Sequence, residues 1–232
     1  MEKLVYTLWR SPAVAAEEFG PALRAVAADL GAAGATGVAV NVADEAVAFA
    51  RRARLTRLDP PLAGTVSFWL DTADDRAPCE AALAAVAARA AGFLVVESVP
   101  LRNTTRPAPL GARVPGVNLV TCIERPARLA YDDWLARWLG EHKAVALETQ
   151  CTFAYVRNVV VRPLTPDAPP WAGIVEEAFP DAALTDPRTW YRAEGSEERF
   201  RRNLQRMLDS VNAFLDVDRV ESHPMSAYRI TA

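Results

Sequence analysis

The sequence predicts an α+β protein of two ferredoxin-like repeats, with antiparallel sheets packed face to face as an intramolecular dimeric α+β barrel. Three observations predict it: an internal repeat, a recurring order of strand and helix patterns, and an Arg/Pro/Gly-rich connector near mid-chain. Sliding the chain by about half its length sets "LVYTLWR" (4–10) on "LVTCIER" (119–125), matching Leu, Val and Arg. Nine residues beyond each arginine, Phe19 falls on Trp134, then Leu23 on Trp138 and Ala27 on His142. Further on, "LAGTVSFWL" (62–70) falls on "WAGIVEEAF" (171–179).

The elements of the first repeat follow in order. A strand at 3–9 leads into an Ala-rich helix near 16–30 that ends at Gly31. "TGVAVNV" alternates Val38, Val40 and Val42 as a strand, and "ADEAVAFARRAR" follows as a short helix with Asp44 at its N-cap. A strand at 64–70 precedes a helix at 79–91, opened by Pro78 and closed by Gly92, and "FLVVES" completes the unit. The second repeat reads as strand 117–124, helix 131–147, strands 151–161 and 173–179, helix 197–215 and strand 226–231. Asp186-Pro187 marks a short additional helix before the long one. Residues 1–100 form the first unit, 101–116 the connector and 117–232 the second unit. A ferredoxin-like sheet with helices on one face needs cover for the other, and the partner sheet supplies it in cis. A monomeric pseudo-dimer or a further homodimer both fit this organisation.

Composition narrows the function classes. A net charge of −3 with interspersed signs gives no basic field for nucleic acid. No apolar run reaches the length of a membrane span, and no secretory signal opens the chain, so a soluble cytoplasmic protein is expected. Cys79, Cys122 and Cys151 are widely spaced and lack neighbouring histidines, which disfavours disulfides or a metal site. No glycine-rich phosphate loop or nucleophile elbow is present.

The amphipathic stretch "YDDWLARWLGEHKAVAL" carries the main functional signal. Trp134, Trp138 and His142 share one apolar helix face, because four-residue steps drift by only about 40°. Phe19 and Leu23 are large and apolar at the positions equivalent to the tryptophans, which marks those as core. Ala27 at the position equivalent to His142 shows that the fold does not require an imidazole there.

The second half resembles the EthD-domain family of dimeric α+β barrels. The residues that carry the resemblance are Trp138-x3-His142, Tyr155-x2-Asn158 and Gly173-x2-Glu176-x2-Phe179. Ala172 stands where family members often have an acid. The resemblance implies the fold and, by association with some fungal relatives, dehydration or decarboxylation of polyketide-derived aromatics. The expected site therefore has His142 as general acid/base, Tyr155 orienting substrate or stabilising an enolate, and Glu176 pairing with the imidazole or acting as base. Alternatively, Glu176 pairs with Arg157 or Arg162 across the sheet. Trp138, Asn158, Arg157 and Trp190 are the expected substrate-binding residues, with Trp190 and Tyr191 as an aromatic lid. Strand alternation already separates Tyr155 from Asn158. His223, in "ESHPMS", reads as a surface residue in a polar turn. The expected function is a cofactor-independent lyase acting on a hydrophobic aromatic or polyketide-like substrate. The alternative is a non-catalytic protein that binds a hydrophobic ligand or assists an oxygenase or degradation pathway.

Overall fold

A computed structural model describes all residues 1–232. The first half supplies β1 (Glu2–Arg10), α1 (Ala16–Ala32), β2 (Thr36–Val42), β3 (Gly64–Leu70), α2 (Ala77–Ala84) and β4 (Ala87–Leu101). The second supplies β5 (Val117–Ile123), α3 (Tyr131–Leu135), a π-helical segment (Ala136–His142), α4 (Lys143–Thr149), β6 (Ala154–Pro163) and β7 (Gly173–Phe179). It is completed by α5 (Pro187–Trp190), α6 (Glu197–Phe214) and β8 (Val220–Arg229). Asp186 caps α5 by accepting from the N–H groups of Arg188 and Thr189. Asp44 does not cap the 3-10 turn at Glu45–Ala53; its carboxylate instead accepts from Ser226 and Tyr228.

Two separate sheets stacked face to face are not what forms. All strands join one eight-stranded antiparallel sheet in the order β1-β3-β2-β8-β5-β7-β6-β4, and β4 pairs back with β1. The two halves meet edge to edge. β2 pairs with β8 from Ala39↔Arg229 to Val42↔Ser226, and β4 pairs with β6 from Phe93↔Pro163 to Leu101↔Tyr155. Edge pairing satisfies backbone N–H and C=O groups that two stacked sheets would leave open, and so outcompetes stacking.

Closure gives the strands an enclosed inner face, and β1 is buried on its outer face as well. Seven of the nine residues of β1 are buried. Leu4, Tyr6 and Leu8 face outward into a core beneath α1 and α2, while Val5 and Trp9 face inward with Phe93, Val120 and Met225. A second outer core, centred on Trp134, Trp138 and Phe214, lies beneath the second-half helices.

The alanine-rich segment near residue 87 departs from its helical expectation. α2 stops at Ala84, and β4 begins at Ala87 because Ala87 to Ala91 pair with Arg10 to Thr7 of β1. Helix propensity is a weak prior, and ladder pairing between buried strands overrides it here. Gly92 is consequently a strand residue, and a Cβ there would collide with the Tyr6 ring. His223 is not in a surface turn either. It lies fully buried within β8, its Nε2 3.3 Å from Glu221 Oε2, so Glu221 and His223 are neighbours on one strand face inside the closed sheet.

The repeat is visible in three dimensions. Gly64 opens β3 beneath Phe19 and Leu23, and Gly173 opens β7 beneath Trp138. In each half the helix presses a large side chain onto a glycine where any Cβ would intrude. Gly173→Ala is expected to lower stability by about 1–3 kcal/mol through overpacking against Trp138. Gly140→Ala, whose added methyl meets nothing within 4 Å, serves as the control. Urea denaturation of the two variants checks this; equal midpoints would refute the close-approach account.

Candidate functional site

The tryptophan-bearing helix lies over the outer face of β6 and β7. Trp134 and Trp138 are essentially inaccessible, their rings 4.9 Å apart. The run Ala136–His142 is π-helical rather than α-helical, a departure that often marks functional sites. Arg157 donates from Nη1 to Leu139 O at 2.8 Å and from Nε to Ser98 Oγ at 3.2 Å. The expected substrate-binding arginine is thus tied to the protein itself, and its guanidinium carbon also lies 5.6 Å from the centre of the Tyr155 ring.

Between this helix, α6 and the sheet lies a cavity of about 290 Å³. Fifteen of its twenty lining residues are hydrophobic, which defines an apolar chamber with a small number of polar positions. Trp138 and His142 line it from the helix, Tyr155 from β6, Met207 and Val211 from α6, and Trp190 from the rim. Trp190 stacks on Phe179 with ring centroids 4.0 Å apart, so it forms a fixed wall at one end of the chamber.

His142 is 8% exposed, and its ring packs against Phe214. Its Nδ1 lies 3.0 Å from Ser210 Oγ. Burial, reinforced by the nearby Arg157 guanidinium, lowers its pKa to about 4. At neutral pH the imidazole is therefore uncharged and a poor proton donor. Burial raises the Tyr155 hydroxyl pKa, so this group stays protonated.

Glu176 and Asn158 are elsewhere. Both point into the closed sheet, on the opposite face of their strands from His142. Glu176 accepts from Asn41 at 2.9 Å, and Asn158 accepts from Lys3 Nζ at 3.0 Å while donating to Ile174 O at 3.2 Å. Lys3 also pairs with Glu97. This network occupies the polar groups expected at the site, and Glu176 pairs with neither His142 nor Arg157.

The acid that does line the chamber is Glu177. It lies opposite Tyr155 in the β6–β7 ladder, and burial raises its pKa to about 7. Its Oε1 is buried without a hydrogen-bond partner, as is Oε1 of Gln150, which also lines the chamber. The sequence carried a usable signal for Glu177. Once β6 and β7 are paired, alternation places it on the Tyr155 face and sends Glu176 to the other.

No group of three or more His, Cys, Asp or Glu side chains is arranged to hold a metal ion, and the three cysteines are free. No helix is long and apolar enough to cross a membrane.

No family model matches the chain, and no curated protein matches it in sequence. Solved structures do match over nearly the whole chain. An anthrone oxidase-like protein is 12% identical with a TM-score of 0.55, covering 100% of this chain and 93% of its own. A candidate monooxygenase from Lactobacillus acidophilus NCFM is 8% identical with a TM-score of 0.51, covering 100% and 97%. A variant chlorite dismutase from Candidatus Nitrospira defluvii is 10% identical with a TM-score of 0.50, covering 97% and 90%. At such identities the likeness shows a shared fold. It also corrects the EthD resemblance, which no family model supports. The cofactor-independent lyase falls with it. That reading rested on the family resemblance, and the imidazole assigned to move the proton is held neutral, a poor acid at neutral pH.

The depressed His142 pKa has a stability consequence. Between its ordinary value of 6.5 and about 4, the unfolded chain binds a proton that the folded chain refuses. The stability associated with neutral His142 is therefore fully present above pH 6.5 and declines as pH falls through that window. Imidazole NMR, assigned against His142→Leu, is expected to show no titration of this ring between about pH 6 and 8. A midpoint near the ordinary histidine value would contradict the buried geometry.

Proposed function

We propose that the protein binds a small, ring-containing hydrophobic molecule in the chamber between α6, the π-interrupted helix and the outer face of β6 and β7. The observation that carries this reading is the difference between the two halves. In the first half, Phe19, Leu23 and Ala27 pack into a core of 21 buried residues beneath α1. The equivalent face of the second half carries an apolar chamber of about 290 Å³, walled by Trp138 and Trp190. Aromatic walls suit a flat ligand, through burial of apolar area and offset stacking. His142 contributes shape and a hydrogen bond to Ser210 that fixes its ring, rather than a mobile proton.

Calorimetric titration with 2-naphthol, a two-ring probe, tests this. Saturable one-to-one binding is expected, and Val211→Trp, which fills the chamber from α6, is expected to weaken it at least about tenfold. Circular dichroism establishes that the variant is folded, and Val175→Met supplies a second filling from the sheet side. Failure of 2-naphthol and of other two-ring probes to bind, or binding unaffected by both substitutions, would overturn the proposal.

A further inference from the structure

The chamber holds an asymmetry of hydrogen-bonding groups that its apolar character does not explain. Its two unpartnered buried polar atoms, Glu177 Oε1 and Gln150 Oε1, are both acceptors. They come from different elements: Glu177 from the middle of β7, and Gln150 from the end of α4, where it is 7% exposed. A buried acceptor without a donor costs its desolvation, and where its side chain lines a chamber of ligand size a bound molecule can supply the missing hydrogen. Opposite Glu177 in the ladder stands Tyr155.

We propose that the ligand is a hydroxylated aromatic, seated with a ring hydroxyl donating to Glu177 and with Gln150 available to a second donor. This rests on the proposed binding function and specifies its ligand class. With Glu177 ionised, two acceptor side chains lining one chamber select against an arene carboxylate, whose own oxygens would meet them unpaired and, at Glu177, with like charge. A neutral phenolic hydroxyl meets the same atoms without bringing a charge into apolar surroundings. Glu177 is then a specificity-determining residue, while the tryptophans and the aliphatic wall hold the ring.

Ionisation of Glu177 sharpens the preference. The titratable groups lining the chamber are Glu177, His142, Tyr155 and Tyr191, and Arg157 lies beside Tyr155. His142 is neutral above its lowered pKa of about 4, and burial raises both tyrosines. Glu177 alone among the lining groups changes charge near pH 7. The carboxylate accepts more strongly than the acid, so affinity for a phenol is expected to rise as pH increases through about 7.

The test compares 2-naphthol, 2-methylnaphthalene, 2-naphthoate and 2-(aminomethyl)naphthalene by calorimetry at about pH 6 and 8, using wild type, Glu177→Leu and Glu177→Gln. At the higher pH, wild type is expected to bind 2-naphthol about tenfold or more tightly than 2-methylnaphthalene, and 2-naphthoate not at all. Glu177→Leu is expected to abolish the preference while retaining 2-methylnaphthalene. Glu177→Gln, which supplies an amide donor, is expected to admit 2-naphthoate. Equal affinity of wild type for 2-naphthol and 2-methylnaphthalene would overturn the hydroxyl seat while leaving the chamber as a binding site. Failure of both to bind would instead remove the binding function itself. Tighter binding of the aminomethyl compound than of 2-naphthol would reassign the seat to an ammonium group.

Discussion

Everything in this structure depends on the pairing of the two halves through their sheet edges. Once β2 joins β8 and β4 joins β6, each strand acquires an inner face enclosed by the ring and an outer face, on which the helices pack. Side-chain alternation then sorts the chemistry with little freedom, because a one-residue change of register would exchange every inner and outer group. Consecutive residues Glu176 and Glu177 illustrate the result. The first completes a network of asparagines with Lys3 nearby, and the second faces an apolar chamber without a partner.

The two halves use the same outer face differently. In the first, aliphatic side chains together with Tyr6, Phe19 and Phe68 fill the space beneath α1. In the second, the helix carries bulky tryptophans and a histidine, and Arg157 donates to the Leu139 carbonyl within its π-helical segment. That bond fixes a guanidinium close to His142, which together with burial explains why the imidazole remains neutral. The chamber thus combines a rigid wall with polar groups whose partners are unequal: His142 has Ser210, whereas Glu177 Oε1 and Gln150 Oε1 have none.

Much of the element order was legible because hydrophobic periodicity and the repeat reinforce each other. The glycine shared by "LAGTVSFWL" and "WAGIVEEAF" marks a real close approach in both halves. The alanine run before Gly92 misled because its strand state depends on β1, a partner about eighty residues away, which local propensity cannot register. His223 misled for a similar reason: its polar neighbours suggest a turn, whereas Glu221 is its partner inside the ring. At the site, the helix face could be read from spacing, and Tyr155 from the motif that carries the resemblance. Glu176 belongs to the motif that carries the resemblance and shares a strand face with Ile174 and Ala178. They belong to the inner side of the sheet, and only the pairing with β6 reveals that Tyr155 faces Glu177.

On the proposed function, a ligand sits in the outer chamber of the second half. Intermolecular nuclear Overhauser effects between 2-naphthol and protein methyl groups test it most directly. The account predicts contacts from the ring protons to Val175, Val211 and Met207, which line the chamber. Contacts instead to inward-facing Val5, Val120 or Met225 would place the ligand inside the closed sheet and contradict it.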